Sequence, residues 1–139
     1  MDDASLIDEM KVWRLINVWG YARDNGEWDM LADCFCHDAT INISWIHAPA
    51  REFVARSREM TAKRKPGAHL KHMFASPLVR VEAKRAFSVC HCTLESRDEF
   101  AVGAWHLGLK LGAFRRRNIQ FLTIHHELDP SRHAGHEGR

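Results

Sequence analysis

Apolar residues near the start of the chain recur at the spacing of an α-helix, with charged residues between them. The positions that carry this pattern are Leu6, Met10, Trp13 and Ile16. Ser5 is a suitable N-cap, and the pattern continues to about Arg23. The Asn25-Gly26 pair that follows is typical of a helix end. The sequence therefore predicts a first helix over about the first 24 residues.

Two further helices and one strand are predicted before the middle of the chain. A short second helix has its apolar side at Trp28, Leu31, Ala32 and Phe35. His37-Asp38 is expected to break this helix, and the alternation from Thr40 to Ile46 predicts a strand. Pro49 precedes a third helix from Ala50 to about Arg64.

The rest of the chain has the pattern of strands joined by short turns. The predicted strands run from Leu70 to Glu82, Arg85 to Glu95, Phe100 to Phe114 and Ile119 to Glu127. Helices followed by an antiparallel meander indicate an α+β fold, in which about three N-terminal helices and a curved, cone-shaped antiparallel sheet enclose a pocket. We expect one domain over residues 1–130 and a flexible tail over 131–139.

One apolar stripe in the third of these strands predicts self-association. Trp105, Leu107, Leu109 and Leu111 alternate and share one face. If that face is the convex side of the sheet, no helix covers it, and a second copy of the chain is the expected partner. We therefore expect a homodimer or higher homo-oligomer.

Composition and charge argue against several classes of function. The 20 basic and 18 acidic residues leave a formal charge of +2, which argues against nucleic acid and membrane partners. The acidic start at Asp2-Asp3 is unlike a secretory signal, and no apolar run is long enough to span a bilayer. We therefore expect a cytoplasmic domain that acts on a small molecule.

The four cysteines and ten histidines do not form a metal-binding pattern. Cys34/Cys36 and Cys90/Cys92 are C-x-C pairs, whereas zinc sites favour C-x₂₋₄-C elements. The cysteines are predicted to be buried reduced thiols. We expect neither a metal nor another cofactor.

Two segments resemble the polyketide-cyclase-like (SnoaL-like) family of the nuclear transport factor 2-like superfamily. In the segment 21–40, Asp24 ends a helix, Trp28 follows four residues later, and Asp38-Ala-Thr leads into the first strand. In the segment 69–81, His72 begins a strand five residues ahead of Pro77. The order and spacing of these landmarks are similar to those of the family over residues 5–95.

The resemblance implies an acid–base site. Scytalone dehydratase and related lyases of this family use an aspartate–histidine pair at the positions of Asp24 and His72, without a cofactor. Histidine suits this role because its ordinary pKa, ~6.5, permits proton transfer in both directions near neutrality. Two alternatives stay open: Asp24 can belong to a simple turn with Asn25-Gly26, and His69 competes with His72.

Five other side chains are candidates for binding the substrate. They are Tyr21, Trp28, Asn42, Trp45 and His91. Dehydratases of this group place a tyrosine near position 43, where this chain has Ile43, so Asn42, Ser44 or Trp45 would have to supply the hydrogen bond to a substrate oxygen.

The sequence thus predicts a dehydratase, isomerase or cyclase that acts on a small, largely apolar cyclic substrate. The same fold also serves as the small subunit of ring-hydroxylating dioxygenases and as a ligand-binding module. A non-catalytic ligand-binding protein or accessory subunit is therefore the alternative.

Overall fold

The computed structural model describes residues 2–96, 100–111 and 119–128. Within these residues the chain forms three helices and six strands. In chain order they are α1 (Asp3–Asn25), α2 (Trp28–Asp33), β1 (Phe35–Ile43), β2 (Ile46–Pro49), α3 (Ala50–Ala62), β3 (Leu70–Glu82), β4 (Arg85–Ser96), β5 (Phe100–Leu111) and β6 (Ile119–Leu128). The α+β class is as predicted. The predicted tail, 131–139, lies outside the described residues.

The described strands form one six-stranded sheet in the order β2-β1-β6-β5-β4-β3. Strands β3 to β6 are the predicted antiparallel meander. However, β1 and β6 pair in parallel, so the sheet is mixed rather than wholly antiparallel. The parallel pair arises because β3 runs opposite to β1 and three reversals then give β6 the direction of β1. The two ends of the sheet do not close on each other.

The buried face of α1 differs from the predicted one. Val12, Ile16 and Trp19 are at most 2% exposed and pack into the core. Three of the four predicted face residues point outward: Leu6, Met10 and Trp13 are 45%, 70% and 46% exposed. Two apolar stripes compete on this helix. The stripe that continues into Gly20 and Ala22 is buried, because small residues let the helix approach the sheet.

The N-cap of α1 and the boundary between α2 and β1 also differ from the predicted ones. Asp2, rather than Ser5, caps α1, and its Oδ1 accepts a hydrogen bond from the backbone N–H of Ser5 at 2.8 Å. Phe35 begins β1 instead of ending α2, since the carbonyl of Cys34 accepts the backbone N–H of Phe121 at 2.7 Å. Because β1 pairs with β6, His37 and Asp38 belong to a strand and do not form a break.

The predicted strand from Thr40 to Ile46 is two strands joined by a tight hairpin. Ile43 pairs with Ile46, and Ser44 and Trp45 form the turn between them. Trp45 consequently leaves the strand pattern and lies at the tip of the hairpin.

The self-association that the stripe in β5 suggests stays a prediction. Positions 105, 107 and 109 pair with Cys90, Ser88 and Ala86, all of which are buried. The side chains of the stripe lie outside the part that the structure describes. On α1, the exposed Leu6, Met10 and Trp13 offer a different apolar surface.

All four cysteines are free thiols, and Cys34, Cys90 and Cys92 are buried. Burial raises the pKa of each of these three thiols from 9.0 to about 12. Within the described ranges, no three His, Cys, Asp or Glu side chains are grouped so that they could hold a metal ion. Nor does any helix there combine the length and apolar character needed to cross a membrane.

These thiols predict a loss of stability in alkali. An unfolded thiol ionises near 9.0 whereas the folded one stays protonated to about 12. The folded state therefore binds more protons in this window, and the free energy of unfolding should fall by up to ~1.4 kcal/mol per thiol for each pH unit above 9. Urea unfolding at a series of pH values measures this slope. The Cys90→Ala variant should show a smaller slope, and an equal slope would contradict the assignment.

Gly20 sets the distance between α1 and β3. A Cβ atom at this position would lie 2.9 Å from Cε2 of Phe74 and 3.7 Å from Cβ of His72. The first distance is too short for two carbon atoms, so a side chain here would push the helix and the strand apart. The absence of a side chain therefore allows the end of α1 to reach the start of β3.

We expect Gly20→Ala to destabilise the protein by roughly 1 kcal/mol, because overpacking outweighs the gain of about 1 kcal/mol in helix propensity. In a Phe74→Ala background the space is open, and the same substitution should become stabilising. A double-mutant cycle by chemical denaturation measures the difference. Equal effects in the two backgrounds would show that Gly20 does not set this contact.

Candidate active site

Asp24 lies in the last turn of α1. The helix ends at Gly26, which takes the left-handed conformation (φ 71°) and donates its backbone N–H to the carbonyl of Ala22. A carboxylate is unfavourable at this end of a helix, where the helix dipole is negative. Asp24 therefore does not stabilise its own helix, and its stabilising partners lie elsewhere.

Those partners are both on His72, the third residue of β3. Oδ2 of Asp24 accepts the backbone N–H of His72 at 2.7 Å, and Oδ1 lies 2.6 Å from the imidazole Nδ1. The carboxylate thus holds the main chain and the ring of one residue at the same time. The side chains of His72 and Asp24 are only 7% and 11% exposed, so water screens this interaction weakly.

The geometry determines which ring nitrogen carries the proton. An ionised carboxylate only accepts hydrogen bonds, so Nδ1 of His72 must be the donor to Asp24. In the neutral imidazole, Nε2 then holds the lone pair, on the side of the ring away from the carboxylate. When Nε2 takes up a proton, the adjacent carboxylate stabilises the imidazolium. A histidine held in this way by a carboxylate can accept a proton at Nε2.

Aromatic side chains surround the imidazole. The ring of Trp19 meets it edge to face at a centroid distance of 5.3 Å, and Phe74 stacks near it at 6.3 Å. Trp19 also stacks on Phe53 of α3 at 5.9 Å. One aromatic layer therefore connects α1, α3 and β3 around the pair. Such a layer restricts the orientation of the imidazole ring.

The structure separates the two candidate histidines. His72 meets Asp24, whereas His69 is exposed and precedes β3. Asp24 is likewise more than a turn residue, because both of its carboxylate oxygens bond to His72.

Three of the predicted substrate-binding residues lie on α1, at the start of α2 and in the turn between β1 and β2. Tyr21 is 59% exposed on α1, one turn before Asp24. Trp28, at the start of α2, packs under the guanidinium of Arg23 at 5.9 Å. Trp45 is 39% exposed, and its ring lies 5.8 Å from that of Phe53.

The other two predicted residues lie on the opposite face of the sheet from His72. Asn42 follows the fully buried Ile41, and its Nδ2 lies 3.0 Å from Nδ1 of His125. His91 is exposed and alternates with the buried Cys90 and Cys92. Cys92 pairs with Phe74, which shares the face of His72. The structure does not bring Asn42 or His91 to the Asp24–His72 pair.

Sequence reasoning missed two residues near the site. Trp19 contacts His72 directly, and its sequence signal was the alternative helix stripe with Val12 and Ile16. Arg23 is only 4% exposed although it carries a charge. Burial and the nearby charge of Arg64 lower the pKa of Arg23 from 12.5 to about 10, against the opposing influence of Asp24. No sequence pattern marks an arginine as buried.

Comparison with solved structures shows the same fold in several bacterial proteins. An NTF2-like protein with a cystatin-like fold from Novosphingobium aromaticivorans is 18% identical, covers 94% of this chain and 88% of its own, and has a TM-score of 0.71. A candidate dehydratase of the NTF2-like family from Streptomyces avermitilis is 10% identical, with 85% and 93% coverage and a TM-score of 0.71.

A third structure with this fold is a subunit of a dioxygenase. The beta subunit of the benzoate 1,2-dioxygenase from Burkholderia mallei is 15% identical, with coverage of 86% of this chain and 89% of its own and a TM-score of 0.71. At these identities the likeness shows the fold alone. No curated protein matches the sequence.

The sequence itself assigns the family. The model of the SnoaL-like domain matches residues 4–118, which include both segments that carry Asp24 and His72. The fold of the solved NTF2-like proteins agrees with this match. The chain belongs to the SnoaL-like domain family.

Proposed function

We propose that this protein is a cofactor-independent acid–base enzyme of the dehydratase, isomerase or cyclase type. His72 is the base and Asp24 orients it. The single observation that carries the proposal is the double hydrogen bond from one carboxylate to the backbone N–H and the Nδ1 of His72. The bond to the backbone places the residue, and the bond to Nδ1 orients its ring, as an oriented base requires.

The first chemical step is removal of a proton from carbon. Nε2 of His72 takes a proton from a carbon next to a carbonyl group, and the electron pair of the broken C–H bond moves into the substrate. In a dehydration this pair forms the new double bond, the C–O bond breaks, and the departing hydroxide takes the proton back as water. In an isomerisation the proton returns to another carbon. General acid–base assistance of this kind contributes ~10²–10⁴-fold.

The surroundings of the pair favour a small, largely apolar cyclic substrate. Trp19 and Phe74 contact the imidazole and Phe53 stacks on Trp19, so the environment of the base is aromatic and apolar. With Asn42 and His91 on the other face of the sheet, neither is available to bind a substrate oxygen at this site. The positioning of the base is therefore the main catalytic contribution.

A model reaction can test whether His72 acts as a base, even though the natural substrate is not known. In the Kemp elimination of 5-nitrobenzisoxazole, the base removes the proton on carbon 3, the N–O bond breaks, and a coloured nitrile-bearing phenolate is released. We expect the protein to accelerate this reaction and His72→Ala to lower the rate by about 10²–10⁴-fold. Absorbance of the phenolate measures the rate.

Two further variants test the roles separately. In Asp24→Asn, the amide oxygen can accept the backbone N–H of His72, but the amide nitrogen then faces Nδ1 and favours the tautomer with the proton on Nε2. This variant should fold and lose most of the activity. His69→Ala, a matched exposed histidine, should keep the full rate. A His72→Ala protein as active as the unaltered one would contradict the proposal and favour a ligand-binding protein.

A further inference from the structure

The first half of α1 is apolar on the side that faces away from the core. Four large apolar residues are exposed there: Leu6, Ile7, Met10 and Trp13. Successive residues are about 100° apart around an α-helix, so these four side chains lie within an arc of about 120°. The core-facing residues Val12, Ile16 and Trp19 lie on the other side of the helix. A stripe this wide normally faces apolar neighbours, so α1 is built to pack on two sides.

Two opposite charges bound this exposed stripe. Asp3 lies in the first turn of α1 and Arg14 follows the last residue of the stripe, and both are exposed. Eleven residues are close to three full turns, so both charges project to the same side of the helix as the stripe, about 16 Å apart along its axis. In the part of the chain that the structure describes, the ion pairs include neither residue. We call Asp3, Arg14 and the four apolar residues between them the α1 surface.

The order of charges makes the α1 surface complementary to itself. If two copies meet with their helices antiparallel, Asp3 of each copy lies opposite Arg14 of the other, and both pairs attract. If the helices were parallel, like charges would lie opposite each other. Between the two ion pairs, the apolar side chains of one copy cover those of the other. Identical patches related by a two-fold axis are the commonest way in which soluble proteins self-associate.

We propose that the α1 surface binds a second copy of this chain, with the two α1 helices antiparallel around a two-fold axis at the level of residues 8–9. Met10 then lies near the axis, and the charged pairs form the rim of the interface. The sheet contacts α1 near its other end, at Gly20 and Asp24. The α1 surface and the candidate active site therefore occupy different ends of the helix, and the inference does not depend on the proposed function.

The charges near the start of the chain disfavour a lipid surface as the occupant. Helices that lie on membranes carry lysine and arginine beside their apolar face, which anionic lipids attract. The first 14 residues contain only two bases, Lys11 and Arg14, against four acids: Asp2, Asp3, Asp8 and Glu9. Self-complementary charges favour the second copy instead.

Sedimentation velocity at a series of protein concentrations tests the interface. The unaltered protein should sediment as a dimer that dissociates on dilution. Met10 is 70% exposed in the single chain, so Met10→Lys should keep the circular dichroism spectrum of the folded protein and yet sediment as a single chain. Met60→Lys, a matched change at an exposed methionine of α3, should leave the dimer intact.

Charge reversal tests the antiparallel orientation. Asp3→Arg and Arg14→Asp should each raise the dissociation constant of the dimer by about tenfold or more, because each replaces two attractions by two repulsions in a symmetric dimer. An equimolar mixture of these two variants should form a mixed dimer as stable as the unaltered one, since both charge pairs are then opposite again. Native mass spectrometry identifies this mixed dimer by its mass. Asp29→Arg, a matched exposed aspartate in the first turn of α2, should leave the dissociation constant unchanged.

Three results would overturn the proposal. The first is an unaltered protein that sediments as a single chain at every concentration. The second is a dimer that survives Met10→Lys, which would place the contact on another surface. The third is a mixture of the two charge-reversed variants that stays dissociated, because the helices would then not be antiparallel.

Vesicles of phosphatidylcholine and phosphatidylserine test the other occupant. The unaltered protein should not co-sediment with them. If it does so as a single chain, and Met10→Lys does not, the α1 surface binds lipid and the assignment of a second copy is wrong.

Discussion

The contact between the carboxylate of Asp24 and both the backbone and the ring of His72 ties the end of α1 to the start of β3. An aspartate side chain is short, so this contact requires the helix to lie close against the strand. Gly20 provides the close approach, since a Cβ atom there would lie 2.9 Å from Phe74. Trp19 and Phe74 then contact the imidazole, and Phe53 stacks on Trp19.

Several residues at this end of the fold contradict local rules of stability. Asp24 is an acid at the negative end of a helix, and Arg23 is a buried cation. Gly20 weakens a helix interior. Residues that break such rules are concentrated where function needs them. Their occurrence within five consecutive positions of α1 supports a functional role for this end of the helix.

The sequence predicted the α+β class, most elements and the meeting of Asp24 with His72, because the order and spacing of short motifs carry that information. It did not predict on which face of the sheet each side chain lies. That face depends on the pairing register of the strand. The register shifts between Phe35 and Thr40 and between Ala75 and Leu78 are not visible in a single sequence. Asn42 and His91 were therefore assigned to the wrong side of the sheet. Similarly, α1 carries two apolar stripes, and only packing decides that Val12 and Trp19 are buried.

Asp24 is expected to hold His72 in the tautomer that leaves Nε2 as the base. Nitrogen NMR of the histidine ring measures this directly, with the signals of His72 assigned by their absence from a His72→Gln protein. In the neutral imidazole we expect a protonated Nδ1 and an unprotonated Nε2, and the reverse in Asp24→Asn. A proton on Nε2 in the unaltered protein, or the same tautomer in both proteins, would contradict it.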